Sequence, residues 1–100
     1  MTEQNYQRSS EDPFEVAYRV GDVLGKGGYG RVYAGIRLHD GKAVAIKHVS
    51  RSSITQWGFL GRSRVPLELK LLVKVQSIPG VIRLVDYYER HDSFPVSYTH

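Results

Sequence analysis

A cluster of glycines near the start of the chain constrains its fold more than any other stretch. Four glycines fall within the six positions from Gly25 to Gly30. In regular structure each glycine costs roughly 0.5–1 kcal/mol against alanine, so these positions need a positive φ or a very close approach to another group. A phosphate group suits such a loop best, because backbone N–H groups can approach it without a Cβ in the way.

The residues on both sides of the glycine cluster favour β-strands. Residues 18–24 fit a strand by their alternation, and residues 31–37 are rich in β-branched and aromatic side chains. The spacing Gly25-x-Gly27-x-x-Gly30 also occurs in dinucleotide-binding folds, but there it leads from a strand into a helix. Here it leads into a strand, so we predict a glycine turn between two antiparallel strands. Protein kinases cover the phosphates of ATP with such a turn.

A third strand is predicted over residues 42–49, after the turn His39-Asp40-Gly41, because Asp-Gly between two apolar runs is a strong hairpin signal. Alternation places Ala45 and Lys47 on one face of this strand. In kinases a lysine in this pattern binds the α- and β-phosphates, and we expect the small Ala45 to leave room for a purine ring. Taken singly, Lys47 is better interpreted as an ordinary surface lysine; in order after the glycine cluster and with Val32 and Ala45, it favours a nucleotide site.

Two further apolar residues, Leu24 and Val32, are predicted to close over the same purine ring, although each also suits ordinary strand core. Tyr29, at the tip of the turn, is predicted to shield the phosphates from water. The predicted ATP-binding residues are Leu24, Gly25, Lys26, Gly27, Gly28, Tyr29, Gly30, Val32, Ala45 and Lys47.

A helix is predicted from about Val65-Pro66 to Val75 or Gln76, with an apolar stripe of Leu67, Leu71, Leu72 and Val75. Glu68 lies beside this stripe and is the only acid between Lys47 and Asp86. Kinases pair a helix glutamate with the strand lysine and so hold the lysine over the phosphates. We therefore predict that Glu68 orients Lys47; a solvated helix residue is the alternative, and the neighbouring leucines argue against it.

The rest of the chain gives weaker signals. Residues 1–14 are expected to form a mobile polar leader, and residues 50–63 an irregular segment with one helical turn, anchored by Trp57. A fourth strand is predicted over residues 81–89. Pro95 argues against a central strand near the end of the sequence. The expected sheet therefore has about four strands, with a fifth missing or disrupted.

Composition excludes several classes of protein. The sequence has no cysteine, scattered histidines and no apolar run long enough to span a bilayer. Eleven Lys and Arg stand against two acids between residues 23 and 85, a balance that suits phosphates or an acidic partner. No stacking aromatics interleave with these cations as in known nucleic-acid modules, which argues against nucleic acid. We expect an intracellular, soluble protein with no membrane contact, no disulfide framework and no thiolate metal site.

From Tyr18 to Phe94 the chain resembles the small lobe of serine/threonine protein kinases of the Pim family. Besides the glycine turn, the resemblance rests on Val44-Ala45-Ile46-Lys47-His48-Val49, Trp57-Gly58, Arg64-Val65-Pro66 with Glu68, Lys74-Val75, Gly80-Val81-Ile82-Arg83-Leu84, Asp86, Glu89-Arg90 and Asp92-Ser93-Phe94. It implies an α+β lobe over residues 15–94, a twisted antiparallel sheet with one helix. It also implies ATP and Mg²⁺ as cofactors, transfer of the γ-phosphate to Ser or Thr in basic target sequences of proteins, and a cytoplasmic or nuclear site of action.

Residues 95–100 depart from the family pattern, which continues with an apolar fifth strand and an adenine-binding hinge. The catalytic Asp base and the Mg²⁺-binding Asp and Asn that the resemblance implies have no counterpart in this sequence. We therefore expect the 100 residues to be inactive alone, and we assign no catalytic or metal-binding residue to them. The alternative function is a non-catalytic small lobe that binds a protein partner through its uncovered surface. An exposed cleft and strand edge also predict marginal stability and association.

Overall fold

The computed structural model describes residues 12–27 and 30–99. In chain order its elements are α1 (Pro13–Ala17), β1 (Tyr18–Gly27), β2 (Gly30–Arg37), β3 (Ala43–Ser50), a 3-10 turn (Arg51–Ser53), β4 (Trp57–Leu60), β5 (Ser63–Pro66), α2 (Leu67–Lys74), β6 (Arg83–Tyr87) and β7 (Ser93–Thr99). An antiparallel sheet has the strand order β1-β2-β3-β7-β6, and β4 and β5 form a separate hairpin. No helix in the described part of the chain is long and apolar enough to cross a membrane.

The first three strands form the predicted meander. Gly41 adopts a φ of 75° in the turn between β2 and β3, and its N–H donates to the carbonyl of Arg37 at 2.8 Å. The guanidinium of Arg37 also donates to both carboxylate oxygens of Asp40, which lowers the pKa of Asp40 well below its usual range. The Asp-Gly signal therefore predicted this turn correctly, and side-chain hydrogen bonds reinforce it.

The prediction of a missing or disrupted fifth strand is wrong. Strand β7 includes residues 95–99, which had been placed outside the lobe, and it lies between β3 and β6. Tyr88, the first residue after β6, donates its N–H to the carbonyl of Pro95 at 3.0 Å. In an extended strand the N–H and C=O of one residue point to the same side. An N–H on residue 95 would therefore point toward the end of β6 and away from β3. For this reason the proline removes no hydrogen bond between β7 and β3.

The segment before α2 also differs from the prediction. Its helical turn lies earlier, at Arg51–Ser53, and residues 57–66 form the β4–β5 hairpin with Gly61 at a φ of 61°. Trp57 anchors the hairpin as predicted, because its ring packs edge-on against Phe94 with centroids 5.7 Å apart. The guanidinium of Arg64 lies 4.0 Å from the centre of the same ring. Helix α2 then begins at Leu67, directly after the hairpin.

One face of the main sheet is closed by α1 and aromatic rings, which we call the sealed face. Phe14 stacks on Tyr18 at 5.5 Å and meets Tyr88 edge-on at 5.6 Å. These rings cover Val44 and Ile46 of β3. The predicted leader therefore ends sooner than expected, since Phe14 is buried; residues 1–11 lie outside the described residues.

Hydrogen bonds complete the sealed face. The hydroxyl of Tyr18 lies 2.9 Å from that of Ser97 on β7, and Asp12 caps α1 by accepting from the N–H of Phe14. Tyr88 donates to the carboxylate of Asp86 at 3.0 Å. Burial and this carboxylate raise the pKa of Tyr88 to about 12. The hydroxyls of Tyr18, Ser97 and Tyr88 thus have partners, as buried groups usually do, whereas the buried Oγ of Ser93, on the same face of β7 as Ser97, has none among the described residues.

Helix α2 and the β4–β5 hairpin lie on the opposite face, which we call the open face. The buried cluster here consists of Val65, Leu69, Phe94 and Val96. Leu69 was not part of the predicted stripe, and Leu71, which was, is 51% exposed. The helix is therefore rotated from the predicted orientation, because it packs on the hairpin as well as on the sheet. The expected α+β arrangement, an antiparallel sheet with α2 packed on one face, is confirmed.

Candidate functional site

Lys47 and Glu68 form an ion pair on the open face. Lys47 lies on β3, and its Nζ is 2.5 Å from Oε2 of Glu68 in the first turn of α2. The lysine side chain is 18% exposed, whereas that of the glutamate is 64% exposed. Water screens a pair with one exposed partner, so the contact stabilises the fold by at most about 1 kcal/mol. Its effect is geometric: the carboxylate fixes the direction of a mostly covered ammonium group.

An apolar groove of about 420 Å³ opens beside this ion pair. Helix α2 forms one wall, β3 and β7 form the floor, and Lys47 with Glu68 stands at its rim. Its lining residues are Lys47, Val49, Pro66, Glu68, Leu69, Leu71, Leu72, Val75, Ile82, Val96 and Tyr98. A concave, mostly apolar site with a few convergent polar groups is the usual form of a small-molecule site.

The strand register arranges the face around Lys47 in two rows. Val32, Lys47 and Val96 are cross-strand partners on β2, β3 and β7, so their side chains share one face. Ala34 and Ala45 are partners in the next row, which continues through Tyr98 to Leu84 on β6. The two methyl groups leave a shallow surface next to the ammonium group. A planar ring fits such a surface, and phosphates attached to the ring would then lie toward Lys47.

The structure brings Val32, Ala45 and Lys47 together as predicted. Sequence reasoning missed Ala34, which the Asp-Gly turn could have identified by fixing the register of β2 against β3. It also missed Val96 and Tyr98, which belong to this face only because β7 is a central strand. The sequence carries no signal that β7 is a central strand, and Pro95 argues against one.

The glycine turn joins β1 and β2 as an antiparallel pair. Gly25 lies opposite Val32, Lys26 opposite Arg31 and Gly27 opposite Gly30. The pairing of β1 with β2 shifts register between Val20 and Gly25, as at a β-bulge. Two predicted site residues, Gly28 and Tyr29, lie outside the described residues.

The two residues that were predicted to close over the purine ring, Leu24 and Val32, are not buried. Leu24 is 64% exposed, and Val32 is half-buried. The two residues belong to adjacent strands, since Gly25, the next residue after Leu24, is the cross-strand partner of Val32. The apolar side chain of Leu24 is exposed to water and is therefore available to cover a bound ligand. Its exposure is compatible with the predicted role.

Gly30 has a structural requirement of its own. Its φ is +119°, and a Cβ at this position would lie 2.5 Å from the carbonyl oxygen of His48. No L side chain fits there without moving β3. At this position the close approach inferred from the sequence is therefore to the protein's own backbone, and the role of Gly30 toward a phosphate stays a prediction.

Metal ligands are sparse around the site. In residues 12–27 and 30–99, no three His, Cys, Asp or Glu side chains lie close enough together to hold a metal ion. What the arrangement offers is a fixed cation, a carboxylate that holds it and a shallow apolar surface, which suits binding of a phosphate-bearing planar ligand.

Comparison with known proteins shows that the sequence is similar to protein kinases. The family model of the protein kinase domain matches residues 18–98. The chain is 37% identical to the serine/threonine-protein kinase prk-2 of Caenorhabditis elegans, over 81% of the chain and 18% of that protein. It is 40% identical to the serine/threonine-protein kinase pim-2 of Danio rerio, over 82% of the chain and 29% of that protein. It is also 45% identical to MAP3K epsilon protein kinase 1 of Arabidopsis thaliana, over 56% of the chain and 4% of that protein.

Proposed function

The chain belongs to the protein kinase family, and on that premise we propose that it binds ATP on the open face of its sheet. The observation that carries the proposal is the ion pair between Lys47 and Glu68. Kinases require this lysine–glutamate pair to place a cation at the α- and β-phosphates. A lysine held at 2.5 Å by a carboxylate from another element is unlike the other lysines of the chain, none of which forms an ion pair among the described residues.

Each predicted residue has a place in the proposed complex. Lys47 donates to the phosphates, and Glu68 limits the directions that its ammonium group can take. Ala45, together with Ala34, provides the surface for the adenine ring. Leu24 and Val32 cover the ring from the side of the glycine turn. Backbone N–H groups of residues 25–30 approach the phosphates, and Mg²⁺ supplies charge neutralisation when bound with the nucleotide.

The finer assignment is a Pim-like serine/threonine kinase that phosphorylates proteins in the cytoplasm or nucleus. The motifs from Val44 to Phe94 and the identity with pim-2 support it, while kinases of other groups match over shorter stretches. Because the chain spans 18% and 29% of the lengths of prk-2 and pim-2, the activity and substrates of such whole proteins are part of the proposal.

For the 100 residues taken by themselves, the proposal is nucleotide binding without phosphoryl transfer. The transfer needs an Asp base and Mg²⁺ ligands of the kinase pattern, and this sequence contains no such motif. Lys47 and Glu68 position phosphates, but neither accepts the proton of a substrate hydroxyl in this scheme. Incubation with radiolabelled ATP and a generic basic serine peptide should leave the peptide unlabelled.

Titration calorimetry with Mg·ATP tests the binding proposal. Lys47→Met should weaken binding by about tenfold or more, because a hydrogen bond to a charged group is worth about 1.5–3 kcal/mol. Lys42→Met is the matched control, since Lys42 is exposed and lies just before the same strand; it should bind like the wild type. Equal binding by wild type and Lys47→Met would contradict the assigned site. Absence of binding in the wild type would favour the interaction-module alternative.

A further inference from the structure

The β4–β5 hairpin presents an aromatic ring and two guanidinium groups to solvent. Phe59 is 57% exposed, and it is the only exposed Phe, Tyr or Trp in residues 12–27 and 30–99. It is the cross-strand partner of Arg64, so the two side chains share one face of the hairpin. Arg62 lies in the turn that joins the two strands and is also exposed. We call Phe59, Arg62 and Arg64 the hairpin patch.

Packing fixes the position of Arg64 within the patch. Its guanidinium lies over the ring of Trp57, 4.0 Å from the ring centre. Trp57 in turn packs edge-on against Phe94, which is fully buried. A guanidinium group that a ring already holds loses less side-chain freedom on binding than a mobile one does. Arg64 is therefore an exposed cation whose direction is set before a partner arrives.

No carboxylate of the described residues neutralises the hairpin patch. Neither Arg62 nor Arg64 forms an ion pair with another described residue. Residues 57–74 contain one acid, Glu68, and its carboxylate is paired with Lys47. A third cation borders the other face of the hairpin, because the stem of Lys70 on α2 packs against the backbone of β4. The positive charge of this surface therefore favours an anionic partner.

The chemistry of the patch favours a protein segment among anionic partners. The guanidinium fork matches the two oxygens of a carboxylate, and an oriented fork favours a group of defined geometry. Phe59 adds apolar area beside the cations, which an apolar side chain next to the carboxylates would cover. A nucleic-acid strand would need further rings on which successive bases could stack. A membrane surface attracts basic residues by charge alone, whatever the direction of the guanidinium group.

We propose that the hairpin patch binds an acidic segment of a protein partner, in which carboxylates flank one apolar residue. Arg64 donates two parallel hydrogen bonds to one carboxylate, Arg62 attracts a neighbouring carboxylate, and the apolar residue packs on Phe59. Lys47 takes no part in this interaction, so the partner site is separate from the proposed nucleotide site.

Fluorescence anisotropy tests the proposal with the full chain and three labelled peptides. The first peptide has a central phenylalanine with two glutamates on each side. The second carries glutamine in place of each glutamate, and the third carries glycine in place of the phenylalanine. The wild type should bind the first peptide about tenfold more tightly than the second, and added salt should weaken this binding because it screens exposed charges.

Replacement of the two arginines tests the charged part of the patch. Arg64→Gln should weaken binding of the first peptide about tenfold, because hydrogen bonds to a charged group are lost. Arg64→Lys should recover less than half of that loss, since lysine keeps the charge without the fork. Arg62→Gln should weaken binding about threefold, and its result stands even if Arg64→Gln disturbs the hairpin. Arg19→Gln is the matched control, because Arg19 is exposed on β1; it should bind like the wild type.

Phe59→Ser tests the apolar part of the patch. This variant should weaken binding of the first peptide about threefold but leave binding of the glycine peptide unchanged, because the two losses remove the same contact. Leu38→Ser is the control, since Leu38 is 46% exposed and lies outside the hairpin. It should bind both peptides like the wild type.

Equal binding of the glutamate and glutamine peptides would overturn the proposal, as would wild-type binding of the glutamate peptide by both Arg62→Gln and Arg64→Gln. Displacement of the peptide by a tighter-binding single-stranded oligonucleotide, or by vesicles that contain phosphatidylserine, would assign the patch to another class of partner and also overturn it. Lys47→Met should bind the peptide like the wild type. A loss in that variant would place the peptide at the nucleotide site and contradict the proposal, whereas failure of Mg·ATP to bind would affect the proposed function alone.

Discussion

Ile46 and Lys47 are neighbours in sequence, yet they lie in opposite environments. Ile46 is 1% exposed and packs under Phe14 and Tyr18 on the sealed face. Lys47 points to the open face, where the groove of about 420 Å³ begins. One strand thus presents a filled core on one side and an unfilled, charged surface on the other.

The difference separates stability from binding. Native interiors are close-packed, so substitutions among the rings of the sealed face are expected to destabilise the fold, as are substitutions in the buried cluster around Phe94 on the open face. Beside that cluster, the open face keeps a covered cation next to apolar surface that no side chain fills, which is the arrangement of a binding site. Variants that alter one face alone can therefore test whether stability and binding are separate.

The largest effect is expected at the centre of the sealed face. Ile46→Ala should lower the free energy of unfolding by about 2–5 kcal/mol, because it leaves a cavity among rigid rings. Leu71→Ala removes a side chain of similar size from the open face, where it is 51% exposed, and should cost about 0.5 kcal/mol or less. Urea unfolding measures both, and similar losses would contradict the distinction between the faces.

The next effect concerns the glycine turn. Gly30→Ala should destabilise the protein by about 1–3 kcal/mol, because the residue has a φ of +119° and its Cβ would collide with the carbonyl oxygen of His48. Gly41→Ala is the control, since Gly41 also has a positive φ but open space around it; it should cost less. Thermal unfolding compares them, and a tolerated Gly30→Ala would mean that β2 and β3 can separate at this point.

A smaller effect is expected at alkaline pH. The pKa of Tyr88 is raised to about 12 from 10.0, so the unfolded chain loses the phenol proton first. The stabilisation is therefore complete below about pH 10 and is lost as pH rises from 10 to 12. Tyr88→Phe should show a shallower loss of stability between about pH 10 and 12 than the wild type, measured by urea unfolding. Parallel curves would show that the Tyr88 hydroxyl does not titrate in this way.

The smallest stability effect is expected for the ion pair. Glu68→Gln should change the free energy of unfolding by about 1 kcal/mol or less, because the glutamate is largely exposed. The same variant should weaken Mg·ATP binding, since Lys47 loses its fixed direction. Glu89→Gln, which breaks another exposed ion pair and changes the net charge in the same direction, serves as a control for the charge change and should leave nucleotide binding intact.

The part of the fold that the sequence predicted depends on local signals. Asp40-Gly41 fixed the turn between β2 and β3, and alternation along β3 then placed Ala45 and Lys47 together. Glu68 was identified because it is the only acid in a long basic stretch. These features are encoded by residues close in sequence, so they could be read before the fold was known.

The features that were missed depend on long-range packing. Pro95 argued against a central strand. The structure tolerates it because residue 95 lies opposite the end of β6, where its missing N–H breaks no ladder, and this pairing cannot be read from the sequence. Leu69 faces the core instead of Leu71 because the β4–β5 hairpin lies beside α2. The β4–β5 hairpin had one local sequence signal, the glycine Gly61 in its turn. The rest of the segment shows little alternation of apolar and polar residues.

The central claim is that the two faces of β3 carry separate tasks, and thermal unfolding with and without Mg·ATP tests it most directly. The wild type and Ile46→Val should both gain stability from the nucleotide, about 2.7 kcal/mol at a hundredfold excess over Kd, although Ile46→Val starts about 0.5–1.5 kcal/mol lower. Lys47→Met should start near the wild type and gain little or nothing. An equal gain in Lys47→Met, or a loss of the gain in Ile46→Val, would contradict the separation.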